Sequence, residues 1–150
     1  MARGYPDFLI TPGFANYGTL YRVAWNGPIL ATEVLEVASL AGAGRLVTGY
    51  VNLWADETID VPWWVTLIVD GTSFFQPSAM AMRDLQAVGN SVLNIQMTRY
   101  ALTDFGFYGG FAIRSDLSWG LSFKLEVTGS MTADGQTSGE FWYRRVEATP

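Results

Sequence analysis

The 150-residue chain has no cysteine and no histidine, which removes disulfides, thiolate chemistry, the usual general base and the usual metal ligand. With 49% hydrophobic and only 15% charged residues it is too apolar for disorder. Its net charge of −5, with Arg144–Arg145 the sole adjacent basic pair, argues against nucleic acid as a partner, because neutralising a phosphate backbone takes clustered cations.

At the amino end, Arg3, Pro6 and Asp7 precede a short Phe8-Leu9-Ile10 run, so the apolar core of a secretory signal is not expected. No apolar stretch approaches the roughly 20 residues of a membrane helix, and no membrane partner is expected. Thr19 to Trp25 reads as a strand running into an Asn26-Gly27 turn, with Pro28 just beyond. Ile29 to Val37 and Leu46 to Trp54 read as further strands, joined by the small-residue loop Ser39 to Gly44. Val61 to Val69 is almost continuously apolar and ends at Asp70-Gly71, a hairpin signal because both residues tolerate positive φ.

Pro77 to Gly89 breaks the alternation. Ser78 at its start and Gly89 at its end predict a short helix, with Ala81, Leu85 and Val88 on the stripe that covers one end of the fold. Period two then returns: Leu93, Ile95 and Met97 share a face, as do Phe105, Phe107, Phe111 and Ile113. The clearest run is 119 to 127, where Trp119, Leu121, Phe123, Leu125 and Val127 are expected inward and Gly120, Ser122, Lys124 and Glu126 outward. A polar turn at Thr132-Ala133-Asp134-Gly135 leads to the last strand, Gly139 to Glu147. The expectation is an all-β protein: one antiparallel β-sandwich or jelly roll of about eight strands with one short helix, spanning residues 1–150 as a single domain.

Catalysis finds little to work with. A serine nucleophile lacks a histidine, and Lys124, the lone lysine, falls on the outward face of its strand. A glycosidase pair needs two carboxyl groups facing one another. Glu33 and Glu36 fall on opposite faces of one predicted strand, and Glu126 and Glu140 meet only if their strands pair. Asp56, Glu57 and Asp60 cluster in a loop, yet their spacing matches no calcium loop. The chain is therefore expected to be no enzyme and to carry no cofactor and no metal.

The aromatic residues say more. Trp63 and Trp64 face opposite sides of one strand, and Trp142 opposes Phe141 and Tyr143 on another. One sandwich core accepts one face of each sheet, so the surplus rings need a cover. Trp64 and Trp142, with Arg144 and Arg145 beside the latter, are the expected interface residues, since aromatics and arginine are favoured at such contacts.

The sequence also resembles a family. Leu35-Glu36-Val37 through Gly42-Ala43-Gly44-Arg45-Leu46 resembles the strand, glycine loop and strand that open small virion proteins of tailed bacteriophages. Leu67-Ile68-Val69-Asp70-Gly71 resembles the strand ending in Asp-Gly that follows. Leu121 to Val127, a polar loop and Phe141-Trp142-Tyr143 resemble the closing pair of strands. This resemblance implies a structural role in a capsid, collar, tail or fibre, located in the virion, with homo-oligomeric contacts and other virion proteins as partners. It transfers no catalytic residue. The competing expectation is a carbohydrate-binding module with a host glycan as partner, since sugar stacking is the other use of an outward tryptophan.

Overall fold

The computed structural model describes residues 17–56, 61–75, 78–84, 91–92, 95–103, 106–113, 117–129 and 134–146. Eleven antiparallel strands and one short helix occur among them. In chain order they are β1 (Tyr17–Ile29), β2 (Val34–Ala41), β3 (Gly44–Ala55), β4 (Trp63–Val69), β5 (Thr72–Phe75), α1 (Ala79–Asp84), β6 (Ser91–Val92), β7 (Ile95–Thr103), β8 (Gly106–Ile113), β9 (Ser118–Trp119), β10 (Ser122–Gly129) and β11 (Gly135–Val146). The larger sheet has the order β1-β11-β3-β8-β7-β6, with β9 pairing β3 where β8 leaves off. The smaller sheet has the order β2-β10-β4-β5.

The pairing is nested. First strand pairs with last (β1·β11), second with second-last (β2·β10), β3 with β8, and β4 with β5 across a tight turn. A long antiparallel ribbon folded over on itself gives this order, and it is the jelly roll. The expected all-β sandwich is the observed fold. Its long strands number eight, and β5, β6 and β9 are fragments of four residues or fewer.

Period two holds the core. From the larger sheet, Val51, Leu53, Phe107, Phe111 and Phe141 point in; from the smaller, Trp63, Val65, Leu67, Phe123, Leu125 and Val127 do. Ring pairs join the layers: Trp63 meets Phe111 at 4.6 Å, and Phe123 meets Phe141 edge-on at 5.5 Å. Such pairs add about 0.5–1.5 kcal/mol each beyond the area they bury. The Asp70-Gly71 hairpin is as expected, with Val69 opposite Thr72 and φ of 51° and 80° at the two turn residues. Ser78 caps α1 as expected: its Oγ accepts the Ala81 N–H at 3.1 Å. α1 packs between β4 and β7, at one end of the two layers, and its buried residue is Ala79; Ala81 is only half-buried, and Leu85, Val88 and Gly89 lie outside the described residues.

Four local expectations are corrected. Asn26-Gly27 is not a turn: β1 continues through Pro28 to Ile29, paired with Gly135–Ser138 of β11. β1 is an edge strand, where a residue lacking an N–H is accommodated. The turn lies at Leu30–Glu33, closed by the Glu33 N–H to the Leu30 carbonyl at 3.1 Å, so Ile29 to Val37 is not one strand. Leu121 is 73% exposed rather than inward. Residues 119 to 127 form two strands in two sheets, β9 and β10, and the bend between them resets the alternation. Finally, the last strand starts at Gly135, four residues before the expected start at Gly139.

Candidate functional site

The outer face of the larger sheet is built by the residues that alternate with its core. Cross-strand register arranges them in rows. Arg22, Trp142 and Thr48 form one row. Ala24, Glu140, Tyr50, Ala112 and Gln96 form the next. Asn26, Ser138, Asn52, Gly110 and Arg99 follow, and then Pro28, Gln136, Trp54, Tyr108 and Ala101. Because each row is assembled from strands far apart in sequence, no local motif announces it.

The last two rows enclose a depression of about 230 Å³ lined by Asn26, Asn52, Trp54, Arg99, Tyr108 and Gln136, among others. The Trp54 and Tyr108 rings stand 6.4 Å apart, tilted by 54°. The Arg99 guanidinium lies 4.9 Å over the Tyr108 ring, a cation–π contact that fixes its position. Gly110, between Asn52 and Arg99, has no room for a Cβ, which would meet Asn52 Oδ1 at 3.0 Å; the amide thus lies over the Gly110 backbone. An adjoining depression of about 410 Å³, which shares Asn26 and Ser138 with the first, extends toward Tyr50, Glu140 and Arg22.

The opposite end of this face differs in chemistry. Leu20 and Val47, 39% and 38% exposed, flank the half-buried Trp142. A bulge between Leu46 and Thr48 turns Val47 outward. Arg22 lies 5.7 Å over the Trp142 ring and is ion-paired to Glu140. Arg144 stands directly opposite Arg45, which places two cations side by side, each with a further interaction within the chain. Arg145 leaves this group and lies 5.0 Å over the Tyr21 ring, which stacks on Tyr143 at the sandwich edge. Of the four expected interface residues, then, Trp142 and Arg144 share one face and Arg145 rims it.

Trp64 is on the other side of the molecule. Trp63 fills the core, so Trp64 projects from the outer face of the smaller sheet, half-buried, in the row Val34, Thr128, Trp64. Beside it Glu36 directly opposes Glu126, and Lys124 pairs with Glu36 at 3.3 Å. Lys124 is therefore an outward lysine in an ion pair, as its alternation indicated. Glu126 and Glu140 lie in different sheets and cannot pair. Glu33 is a turn residue whose Oε2 accepts the Leu30 N–H at 2.8 Å, so it does not share a strand with Glu36. Asp56 is exposed after β3, while Glu57 and Asp60 lie outside the described residues. Among the described residues no group of three carboxylates gathers.

One carboxylate has a structural task. Asp70 accepts the backbone N–H groups of Gly120, Leu121 and Ser122 at 3.1, 2.6 and 3.0 Å. Those bonds hold its pKa below the usual carboxylate range. They also tie the β4–β5 hairpin to the β9–β10 bend and set the outward course of Leu121.

Fold and face define the class: a jelly-roll β-sandwich with an aromatic, polar outer sheet. Neither a protein-family model nor a curated protein matches this sequence.

Proposed function

We propose that the chain is a non-enzymatic structural protein of a bacteriophage virion, which assembles with copies of itself and with other virion proteins through the outer faces of its two sheets. The observation that supports this reading most is the complementarity of those faces. The end of the larger sheet presents Trp142 among arginines, with Arg144 set against Arg45. The smaller sheet presents Trp64 beside Glu36 set against Glu126. Each face carries a half-buried tryptophan, and the faces differ in sign: arginines stand beside Trp142, and glutamates stand beside Trp64 with Lys124 paired to one of them. Apposing one copy's basic face to the next copy's acidic face brings opposite charges together and removes apolar area from water at roughly 25 cal/mol per Å². A contact between unlike faces repeats from copy to copy and closes into a ring or extends as a tube, as virion parts require. Jelly rolls serve capsids, lectins and other roles alike, so the fold is compatible with this reading without selecting it.

The test is mass in solution by size-exclusion chromatography with light scattering. The wild type should form oligomers, and Trp142→Ser and Trp64→Ser should each lower the mass without lowering the melting temperature. Mixed in equal amounts, the two variants should pair, because each retains the face the other lacks. A wild type that stays monomeric at high concentration and binds no purified virion protein would defeat the proposal. So would a mixture that forms no pair.

A further inference from the structure

We infer that the depression between β1, β11, β3, β8 and β7 is a saccharide-binding site, with Trp54 as stacking platform and the amides of Asn26, Asn52 and Gln136, together with Arg99, as hydrogen-bonding groups.

The chemistry of the lining carries this assignment. A sugar ring presents an apolar face of C–H bonds and a rim of vicinal hydroxyls that both donate and accept. A site for it needs an aromatic plane and planar polar groups that offer donors and acceptors side by side. Asn and Gln amides supply both, and Arg supplies several donors in a fixed fork. Here three amides and one guanidinium surround two aromatic rings in one depression. Among the described residues, none of those three amide side chains has an intramolecular hydrogen bond, and Arg99 has no carboxylate partner. Their polar capacity is not spent on holding the fold.

Rigidity adds to the case. All six side chains project from paired strands, which hold a site more tightly than loops do. Arg99 is fixed over Tyr108, so less of its freedom is lost when a ligand binds. The depression of about 230 Å³ is below the range of about 300–1,000 Å³ for drug-sized ligands, so a single ring fits it better than an extended cofactor. With the adjoining depression the groove runs along β1 from Arg22 to Asn26, about 14 Å at strand rise, the length of a short oligosaccharide. None of the residues lining the first depression is acidic and one is cationic, so neutral and acidic sugars are favoured over amino sugars.

The site is independent of the assembly reading. Trp142 lies two rows away from the first depression, whose lining offers no counterpart to the apolar Leu20 and Val47.

The experiment is a titration of the ¹⁵N-labelled full chain, followed by NMR, with glucose, galactose, N-acetylglucosamine, N-acetylneuraminic acid, galacturonic acid and glucosamine in turn, each to about 50 mM, which detects dissociation constants in the millimolar range. At least one neutral or acidic sugar should shift the side-chain amides of Asn26, Asn52 and Gln136 and the Trp54 indole, with glucosamine weaker. Trp54→Ala should weaken that binding by about tenfold or more, the scale of losing a central aromatic anchor. Asn52→Ala, which removes no ring, gives the same answer if Trp54→Ala folds poorly. Trp142→Ser should leave sugar binding unchanged even where it abolishes assembly. The inference is overturned if no sugar shifts these four residues, or if shifts persist unchanged in both Trp54→Ala and Asn52→Ala. It is equally overturned if the groove resonances move only when chains associate, which would make the face a protein contact.

Discussion

Replacing Phe123 by alanine, beside Leu121 by alanine, separates the structure from the pattern that precedes it. Both residues fall on the same side of the 119 to 127 alternation. Phe123 is fully buried on β10, which is paired on both sides, by β2 and by β4. Its ring stacks on Trp119 at 4.7 Å and meets Phe141 at 5.5 Å. Truncation removes the ring from the middle of an aromatic cluster whose neighbours are held by two sheets and cannot close the gap. The expected cost is about 3–5 kcal/mol, the usual range for a buried ring. For a chain of this size that lowers the melting temperature by roughly 6–20 °C. Leu121, at 73% exposed, should change stability by no more than about 0.5 kcal/mol. Urea unfolding followed by far- and near-ultraviolet circular dichroism measures both. Equal losses at the two positions would show that 119 to 127 is one continuous strand with both residues in the core, and the two-sheet description of this segment would fail.

Other substitutions probe single features. Gly139 faces the Trp25 ring and the Tyr50 carbonyl with no room for a Cβ, so Gly139→Ala should cost about 1–3 kcal/mol by overpacking, whereas Gly27→Ala, which meets nothing, should be near neutral; equal midpoints in urea would contradict this. Thr32 holds a φ of 63°, which a β-branched residue adopts at a cost, so Thr32→Gly should raise stability by up to about 1 kcal/mol, and a fall in melting temperature would refute the strain. Asp70 has its pKa lowered by three backbone N–H donors, so its contribution is complete above the ordinary value of 3.8 and is lost as pH falls through the lower, folded value. Asp70→Asn should therefore reduce stability at neutral pH and flatten the decline below about pH 4; an unchanged stability–pH curve would show that the bonds contribute nothing. Raising salt should weaken wild-type self-association, because exposed charges are screened within about 8 Å at physiological ionic strength, and a salt-independent mass would count against the charged-face contact.

The sequence by itself determined the class of structure. Its alternation placed Met97, Phe107, Phe111, Phe123 and Phe141 in a core, and Asp70-Gly71 marked a true hairpin, because both signals depend only on a residue and its immediate neighbours. It also showed that Trp63 and Trp64 could not share a core. What it could not determine is anything that depends on which strands meet. Asn26-Gly27 carries a turn signal, but eleven-residue pairing of β1 with β11 holds it extended, and the distant strand outweighs the local preference. Trp119 and Phe123 share an alternation but belong to different sheets, because Asp70, about fifty residues earlier, captures the backbone between them. Trp64 and Trp142 looked like members of one surplus, and only the division into two layers put them on opposite sides. The groove was the least legible feature. Asn26, Gln136, Asn52, Tyr108 and Arg99 come from five separate strands, and each is an unremarkable outward residue until pairing sets them in adjacent rows. Local chemistry fixes which way a side chain points along a strand, whereas register across strands, decided by the whole core, fixes what it stands beside.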